Sequence, residues 1–345
     1  MFKFFDRGNN TLVLRPDMTP PIARCVAKYY KDEHMQIRLS YIGNTFVNTG
    51  KYKGKLQEVT QAGAELFNDG SSDADAEMVA LTIECLLKSG LKEFQLEIGH
   101  AGFFNGLVKE AGFSERETAK LRSLIESKNF FGVEDLLDSL TVSNELKEIF
   151  LKMPEMLNNL DEAIEFVKAR SKSEDVYKAV ERLKKLENIV GSYGFGNYIT
   201  IDLSMLSNYS YYTGVIFRAY TYGNGEAVAT GGRYDSLVSQ FGKDAPAIGL
   251  AIVIDQLIIA LSRQKLLDTG ITQGTILLYP QSLRDMAVNE AERMRRQGSI
   301  IQLVRKSSQK QEEEYKEYAK RMGAEKVIYL KAEDNIEEWN VGQHF

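Results

Sequence analysis

The sequence predicts an α+β fold in which a sheet flanked by helices is followed by a small α/β region. Two observations favour this fold. Strand-like segments lie on both sides of a run of helical segments between about 104 and 190, and strand and helix alternate regularly after Thr272. A chain of 345 residues is also too long for one small core. We therefore expect a discontinuous domain, an insertion within it and a separate C-terminal region.

The composition is that of an ordinary soluble globular protein, with 43% hydrophobic and 26% charged residues. A net charge of -5 argues against a broad nucleic-acid-binding surface. Cys25 and Cys85 lie in apolar helical segments, as buried free thiols do, and no His/Cys cluster predicts a metal. Without a membrane-spanning run or signal peptide, we expect a cytoplasmic protein with no membrane partner. The abrupt "FKFFD" start suggests that earlier structure is absent from this chain.

Residues 1 to about 103 alternate strands and helices. "TLVLRPDMTPPIARCVAKYY" predicts a strand, a turn and a helix with Thr19 as N-cap and prolines in its first turn. "DADAEMVALTIECLLKSGL" predicts a helix ending at Gly90, and "EFQLEIGH" predicts a strand. Between them, "YIGNTFVNTGKYKGKLQEVTQAGAELF" predicts two strands joined by a basic tip. This hairpin contains no arginine, and its only cations are Lys51, Lys53 and Lys55.

The next segments change from helix to strand. Apolar residues at three- and four-residue spacing predict helices at "SERETAKLRSLIESK", "GVEDLLDSL", "SNELKEIFLKM", "LDEAIEFVKAR" and "DVYKAVERLKKLENIVGSYG". Strands resume at "YITIDLSML" and "YYTGVIFRAYTYG", where Gly223-Asn224-Gly225 predicts a hairpin turn. "AVATGGRYDSLVSQFG" predicts a strand, a glycine turn and a helix, and "AIGLAIVIDQLIIALSRQ" predicts a strand that runs into a helix.

The last region has the alternation of a small parallel sheet. Its segments are "TILLYP", "LRDMAVNEAERMRRQG", "SIIQLV", "QEEEYKEYAKRMG" and "KVIYLK". The predicted domains are therefore residues 1–103 together with 191–268, a helical insertion at 104–190, and a short α/β domain at 272–345.

The second strand of the hairpin offers polar groups on one face. The two-residue strand period places Gln61, Gly63 and Glu65 together, so that an amide and a carboxylate flank a glycine with no side chain. These groups favour a groove floor for an amine or ring nitrogen, and the alternative is a solvated strand face. In "LRPDMTPP", Asp17 and Thr19 lie at a strand-to-helix turn where the Asp17 carboxylate favours an ammonium group, and the alternative is a helix cap.

Two further stretches carry aromatic residues and glycines. Tyr211 and Tyr212 in "NYSYYTGVIF" would point to opposite faces of a strand, so at most one would line a pocket directly. The alternative is that both fill a core. Gly231 and Gly232 in "ATGGRYDSL" allow a close approach of the backbone to a ligand, although this is not a P-loop.

In this order, the motifs resemble the catalytic domain of class II histidyl-tRNA synthetase. They are "LRPDMTPPIAR", the "YIGNTF…QEVTQAGAELF" hairpin, "YYTGVIF…GGRYDSLV" and "IGLAIVIDQL". The resemblance covers residues 1 to about 103 and about 195 to 265, and the final region is similar to a shortened anticodon-binding domain. It implies a class II aminoacyl-tRNA synthetase-like antiparallel sheet flanked by helices, with a helical insertion and a small C-terminal α/β domain.

The departures from this family concern ATP. The resemblance implies an arginine in each of three motifs, and this chain has Val47, Ser207 and Gln256 there, with Thr49 at a glutamate position. Adenylate formation needs cations fixed against the triphosphate, and these side chains cannot replace bidentate guanidinium contacts. We therefore expect no aminoacylation, no catalytic residue and no cofactor.

The amino-acid end of the family's site is retained. A histidine-shaped pocket without an ATP clamp resembles the regulatory subunit of ATP phosphoribosyltransferase, and "RPDMTPPIAR" and "QEVTQAGAELF" are close to that family's versions. The residues implied to contact histidine are Asp17, Thr19, Gln61, Glu65, Tyr211 and Tyr212, and those implied to line the pocket are Gly63, Gly231 and Gly232.

The resemblance also implies partners. In that family the subunit pairs with a short catalytic phosphoribosyltransferase in a hetero-octamer, is required for its activity, and helps confer feedback inhibition by histidine. A class II-type dimer is expected, and tRNA binding is not, because an acidic run opposes Arg293, Arg295 and Arg296. Many members lack a C-terminal βαβ region, which leaves its role here in question. The alternatives are a divergent histidyl-tRNA synthetase and a histidine sensor for some other partner.

Overall fold

The computed structural model describes residues 1–48, 56–156, 159–207, 211–267 and 274–341. The chain forms two compact units, Met1–Leu267 and Asp268–Phe345. The lysine-bearing hairpin tip and Thr49 lie outside the described residues. The domain boundaries drawn from the sequence stay predictions.

The first unit contains a small hairpin and a seven-stranded sheet. In the hairpin, β1 (Lys3–Phe5) pairs antiparallel with β2 (Thr11–Val13). The sheet consists of β3 (Ile37–Phe46), β4 (Glu58–Phe67), β5 (Phe94–His100), β6 (Ile199–Ile201), β7 (Val215–Thr221), β8 (Ala229–Arg233) and β9 (Ala247–Val253). Its order is β3-β4-β9-β8-β7-β5-β6, and all neighbours are antiparallel except β5 and β6. The predicted antiparallel sheet of an α+β fold is confirmed.

The first two helices begin close to the positions that the sequence indicates. Ser71 caps the second helix with its side chain, and Gly90 follows that helix with a φ of 96°, which favours glycine. The predicted N-cap at Thr19 is wrong, because Met18 occupies that position and Thr19 is the first helical residue. The Thr19 hydroxyl donates to Glu65 instead. These helices are α1 (Thr19–Tyr29) and α2 (Ser72–Lys88).

A block of helices follows β5. Ser114 and Glu117 form a capping box, and apolar residues of the block, including Leu121, Phe150 and Leu183, join the same core as the sheet. The five helices expected here are confirmed, and an additional one begins directly after β5. The block consists of α3 (Ala101–Ala111), α4 (Glu115–Glu126), α5 (Phe130–Asp138), α6 (Asn144–Lys152), α7 (Leu160–Lys168) and α8 (Glu174–Ser192).

The predicted glycine turn after residue 230 is wrong. Gly231 and Gly232 lie inside β8, and only a short 3-10 helix, Val238–Phe241, follows in place of the expected helix. A Cβ on Gly232 would lie 2.7 Å from Cε1 of Tyr212. The strand therefore needs glycine for close packing and not for a change of direction.

The last helix of this unit, α9 (Ile254–Arg263), follows β9 directly, as predicted. Cys25 and Cys85 are free thiols in α1 and α2, but both are partly exposed and not fully buried as expected. Within the described ranges, no helix has the length and apolar character needed to cross a membrane.

The second unit is a four-stranded sheet with a helix on each face. Ala287 and Ala291 of one helix pack with Leu277, while Tyr315 of the other packs with Leu278. The sheet order is β11-β10-β12-β13, with β11, β10 and β12 parallel, as expected, and β13 antiparallel at the edge. The elements are β10 (Thr275–Tyr279), α10 (Arg284–Arg296), β11 (Ile301–Arg305), α11 (Glu312–Arg321), β12 (Lys326–Ala332) and β13 (Asn335–Asn340).

Candidate functional site

The centre of the candidate site is a buried carboxyl group, that of Glu65 on β4. Glu65 lies opposite Gly249 of β9, where a Cβ would come within 2.5 Å of the Glu65 Cδ, so the glycine leaves room for the carboxyl. Thr19 Oγ1 donates a hydrogen bond to Oε1 at 2.9 Å, and the Tyr234 hydroxyl donates to Oε2. Only 2% of Glu65 is exposed, so a solvated strand face is excluded for this residue.

This environment shifts the pKa values of Glu65 and Tyr234. Burial raises the pKa of Glu65 to about 8. The hydrogen bonds from Tyr234 and Thr19 lower this pKa, and the charge of Asp17 raises it further. Burial and the adjacent Glu65 raise the pKa of Tyr234 well above its usual value. At neutral pH Glu65 is therefore mostly a neutral carboxyl group, which can both donate and accept hydrogen bonds.

Asp17 connects the start of α1 to the same site. Its Oδ1 accepts the Thr19 N–H at 3.0 Å, and its Oδ2 accepts the Tyr211 hydroxyl at 2.7 Å. The Asp17 carboxylate therefore holds the turn before the helix and also faces the cavity, although the helix has no side-chain N-cap. Its role as the partner of an ammonium group stays a prediction.

The tyrosine pair differs from the sequence-based expectation. Strand β7 begins at Val215, so Tyr211 and Tyr212 precede it and do not alternate between the faces of a strand. Both line the cavity, with ring centroids 4.9 Å apart, and both also pack against a small core cluster. The prediction that at most one would line a pocket is therefore wrong.

The cavity is narrow, with a volume of about 30 Å³. Tyr41 of β3 faces Gly63, and a Cβ there would lie 2.5 Å from Tyr41 Cε1, so this ring covers the glycine that was expected to be open. The space holds about one or two water molecules. An amino acid can enter only if aromatic side chains move. Of the predicted residues, those that line the cavity are Asp17, Thr19, Gln61, Tyr211, Tyr212 and Gly231.

The remaining predicted residues have other positions. Glu65 lies beneath the lining, bonded to Thr19, while Gly63 and Gly232 pack against aromatic rings. Sequence reasoning missed Tyr41 and Tyr234, which both line the cavity. The hairpin register could have indicated Tyr41, since it is the residue that faces Gly63 across the strand pair.

The positions where the resemblance implies ATP contacts have different chemistry. Val47 follows β3 directly and is 43% exposed, and its backbone N–H donates to the Gln57 carbonyl at 2.8 Å. Ser207 offers its carbonyl to Arg122 at 3.1 Å, and Gln256 lies half-buried in the first turn of α9. None of these three side chains is a cation, so none can clamp a phosphate as a guanidinium does.

The candidate site thus presents carboxyl, amide and hydroxyl groups, while the three positions implied to contact ATP carry uncharged side chains. Glu65, Asp17 and Gln61 suit a ligand that carries an ammonium group and a ring N–H. The tyrosines add hydroxyl groups and an apolar wall. These groups have the chemistry to bind a small amino acid once aromatic side chains make room, and none of Val47, Ser207 and Gln256 carries a positive charge.

Comparison with known sequences supports one family. A family model described as histidyl-tRNA synthetase matches residues 1–257. The chain is 38% identical over 341 residues to the ATP phosphoribosyltransferase regulatory subunit of Acetivibrio thermocellus, covering 99% of the chain and 81% of that protein. It is 37% identical over 343 residues to the protein of the same name from Ruminiclostridium cellulolyticum, with the same coverage. Both alignments therefore include the C-terminal unit.

Solved structures agree with these sequences. The structure of an ATP phosphoribosyltransferase regulatory subunit/histidyl-tRNA synthetase from Bacillus halodurans superposes with a TM-score of 0.82 and 34% identity, covering 95% of this chain and 82% of that one. Histidyl-tRNA synthetase from Nostoc gives a TM-score of 0.80 at 18% identity, covering 98% of this chain and 84% of that one, which shows the fold alone.

Proposed function

The chain belongs to the family of ATP phosphoribosyltransferase regulatory subunits, and we propose that it is the non-catalytic subunit required by a short catalytic phosphoribosyltransferase in histidine biosynthesis. The family assignment favours this function over a divergent histidyl-tRNA synthetase. One observation carries the non-catalytic part of the proposal: Val47, Ser207 and Gln256 stand at the three positions where the resemblance implies arginines, while the amino-acid end has polar groups.

The ligand of the pocket is histidine in this proposal. Glu65 binds the imidazole, since its carboxyl group can accept from or donate to a ring nitrogen. Asp17 and Gln61 bind the ammonium group, and Tyr211 and Tyr212 supply hydroxyl groups and an apolar wall after they move to admit the ligand. Histidine bound here then lowers the activity of the assembled enzyme, which is feedback inhibition.

Self-association as a class II-type dimer is part of the same proposal, and the hairpin of β1 and β2 supports it. Phe4, Phe5, Leu12 and Val13 of this hairpin are between 40% and 67% exposed. A two-stranded hairpin is marginally stable by itself, and its apolar side chains favour coverage by a second copy of the chain.

The C-terminal unit is proposed to have no specific tRNA site. Arg293 pairs with Glu290 at 2.5 Å, Arg296 pairs with Glu292 at 3.4 Å, and Arg295 donates to a backbone carbonyl. These arginines therefore have contacts within their own unit, and any affinity for RNA should be weak and sensitive to salt. Filter binding with total tRNA at rising salt tests this, and tight salt-resistant binding of one species would contradict it.

The experiment that tests the proposed function is reconstitution with a short catalytic ATP phosphoribosyltransferase from the same organism. The two proteins should co-purify, and phosphoribosyl transfer should appear only in the mixture and fall when histidine is added. Each protein assayed by itself is the control. A catalytic subunit that is fully active alone and unaffected by this chain would contradict the proposal and favour a histidine sensor for another partner.

A further inference from the structure

A second cleft lies in the Met1–Leu267 unit and shares no lining residue with the pocket beside Glu65. It has a volume of about 460 Å³ and is lined by α3, α8 and the segments around Gly214 and Arg233. Cavities of this size bind small molecules in many proteins. Small residues contribute much of the lining, namely Gly70, Gly102, Gly106, Ala179 and Gly214.

Arg182 of α8 presents a fixed cation to this cleft. Its Nε donates to the buried carboxylate of Asp75 at 2.6 Å, and its Nη2 donates to the carbonyls of Gly70 and Ser71 at 2.9 and 2.6 Å. In the described part of the chain, its Nη1 has no hydrogen-bond partner, and 23% of the side chain is exposed. The guanidinium group is therefore held in place with one nitrogen available to a ligand.

His100 adds a neutral donor. Its Nδ1 accepts the Gly102 N–H at 3.1 Å, which places the ring proton on Nε2, and Nε2 has no partner among the described residues. Burial, together with the positive charges of Arg182 and Arg233, lowers the pKa of His100 to about 4. The imidazole therefore stays uncharged at neutral pH, and its ring N–H is offered to the cleft that the side chain lines.

Two lysines complete the set of donors. Lys109 pairs with Asp175 at 3.1 Å, and Lys178 pairs with Glu174 at 3.3 Å. Both pairs are well exposed, so they contribute little and can exchange for a ligand.

The other charges that face the cleft largely compensate one another. Arg233 is paired with Asp75 at 2.7 Å and with Asp235 at 2.9 Å. Asp75 also pairs with Arg182. Apart from Asp175 and Asp235, the charged lining groups are cations, and both of these carboxylates already have a positive partner. The groups left for a ligand are therefore mainly donors.

We propose that this cleft binds a small phosphate-bearing anion, with Arg182 and His100 as fixed donors and Lys109 and Lys178 as cations that close over it. A phosphate group has enough acceptor oxygens for all four side chains, and its charge matches the lysines and the arginine. The volume suits a phosphorylated metabolite and not a macromolecule. Thr213 and Gly214 of the lining follow Tyr211 and Tyr212 directly, so the anion contacts the segment that also lines the other pocket.

Calorimetric titration of the purified protein with inorganic pyrophosphate, at constant ionic strength set with chloride, tests the proposal. We expect saturable binding at one site per chain. Lys109→Ala combined with Lys178→Ala should weaken it about ten-fold. The matched control is Lys88→Ala combined with Lys185→Ala, which removes the same charge from exposed helix positions outside the cleft. The control should bind pyrophosphate as the unmodified protein does.

His100→Asn provides a second variant that keeps the fold. Asparagine can still cap α3, as His100 does now, but it lacks the ring N–H, so binding should weaken about three-fold with the melting temperature unchanged. Three results would overturn the proposal: the absence of saturable binding, an equal loss in the two lysine double variants, or pyrophosphate binding that none of the cleft substitutions changes.

Discussion

The synthetase-like unit has two groups of positions with different chemistry: an amino-acid end, where the resemblance implies contacts with histidine, and a phosphate end, where it implies contacts with ATP. At the amino-acid end, Glu65 is buried and hydrogen-bonded to Thr19 and Tyr234. At the phosphate end, Val47 is exposed, and its backbone N–H donates to the Gln57 carbonyl. The difference supports the proposal that this fold keeps the amino-acid half of a site without the chemistry of the phosphate half, because function depends on the side chains at the site.

The largest expected effect concerns catalysis at the phosphate end. Histidine-dependent exchange of pyrophosphate into ATP should stay at background, several orders of magnitude below an active histidyl-tRNA synthetase assayed in parallel, because three cations are missing. The measurement uses the purified chain with histidine, ATP and magnesium. Robust exchange would mean that other groups replace the arginines, and the contrast between the two ends would disappear.

The next effect concerns the pH dependence of stability at the amino-acid end. The pKa of Glu65 is raised from its ordinary value near 4.5 to about 8 in the folded state, so the unfolded chain loses this proton first as the pH rises. Glu65 therefore stabilises the fold fully below about pH 4.5, and this contribution is lost as the pH rises toward 8. Glu65→Gln cannot ionise, and its free energy of unfolding relative to the unmodified protein should rise across this window, by an amount on the order of a few kcal/mol.

Chemical denaturation at several pH values measures this difference. Glu58→Gln is a matched control, since Glu58 lies on the same strand but is exposed. If the difference in free energy of unfolding between Glu65→Gln and the unmodified protein is the same at pH 5 and pH 8, the buried carboxyl is ionised throughout that range.

A smaller effect is expected for histidine affinity. Leaving a buried ring nitrogen without its hydrogen-bond partner costs roughly 1–3 kcal/mol, so Glu65→Ala should weaken histidine binding about ten-fold or more. Glu65→Gln should be milder, because an amide oxygen still accepts from the ring. In the assembled enzyme, the same substitution should raise the histidine concentration that inhibits, while activation without histidine is kept. Unchanged sensitivity of an intact complex would place the inhibitory site elsewhere.

The periodic parts of the fold could be predicted from the sequence. The alternation in "QEVTQAGAELF" gives strand β4, and apolar spacing in "DVYKAVERLKKLENIVGSYG" gives α8, because both patterns reflect which face is buried. The sequence does not determine the structure at Gly231 and Gly232, since a glycine pair is compatible with a turn or with tight packing. Only the position of the Tyr212 ring, which comes from another segment, distinguishes the two.

The candidate site could be predicted only where its residues belong to one motif. Residues within one motif, such as Asp17 and Thr19, lie close because the chain places them there. The Tyr41 ring over Gly63 and the Tyr234 bond to Glu65 arise from packing between strands, so no short motif contains them. The small volume of the pocket is also a result of this packing and has no signal in any single segment.

The most direct test of the central claim is a comparison of two ligands in one purified preparation. Isothermal titration with histidine should give saturable binding that Glu65→Ala weakens about ten-fold or more and Glu58→Ala leaves unchanged. ATP should bind the histidine-saturated protein no more tightly than it binds the protein without histidine. The reason is that Val47, Ser207 and Gln256 carry no positive charge. ATP binding that depends on histidine, or histidine binding that is indifferent to Glu65, would contradict the account of a retained amino-acid end and a lost phosphate end.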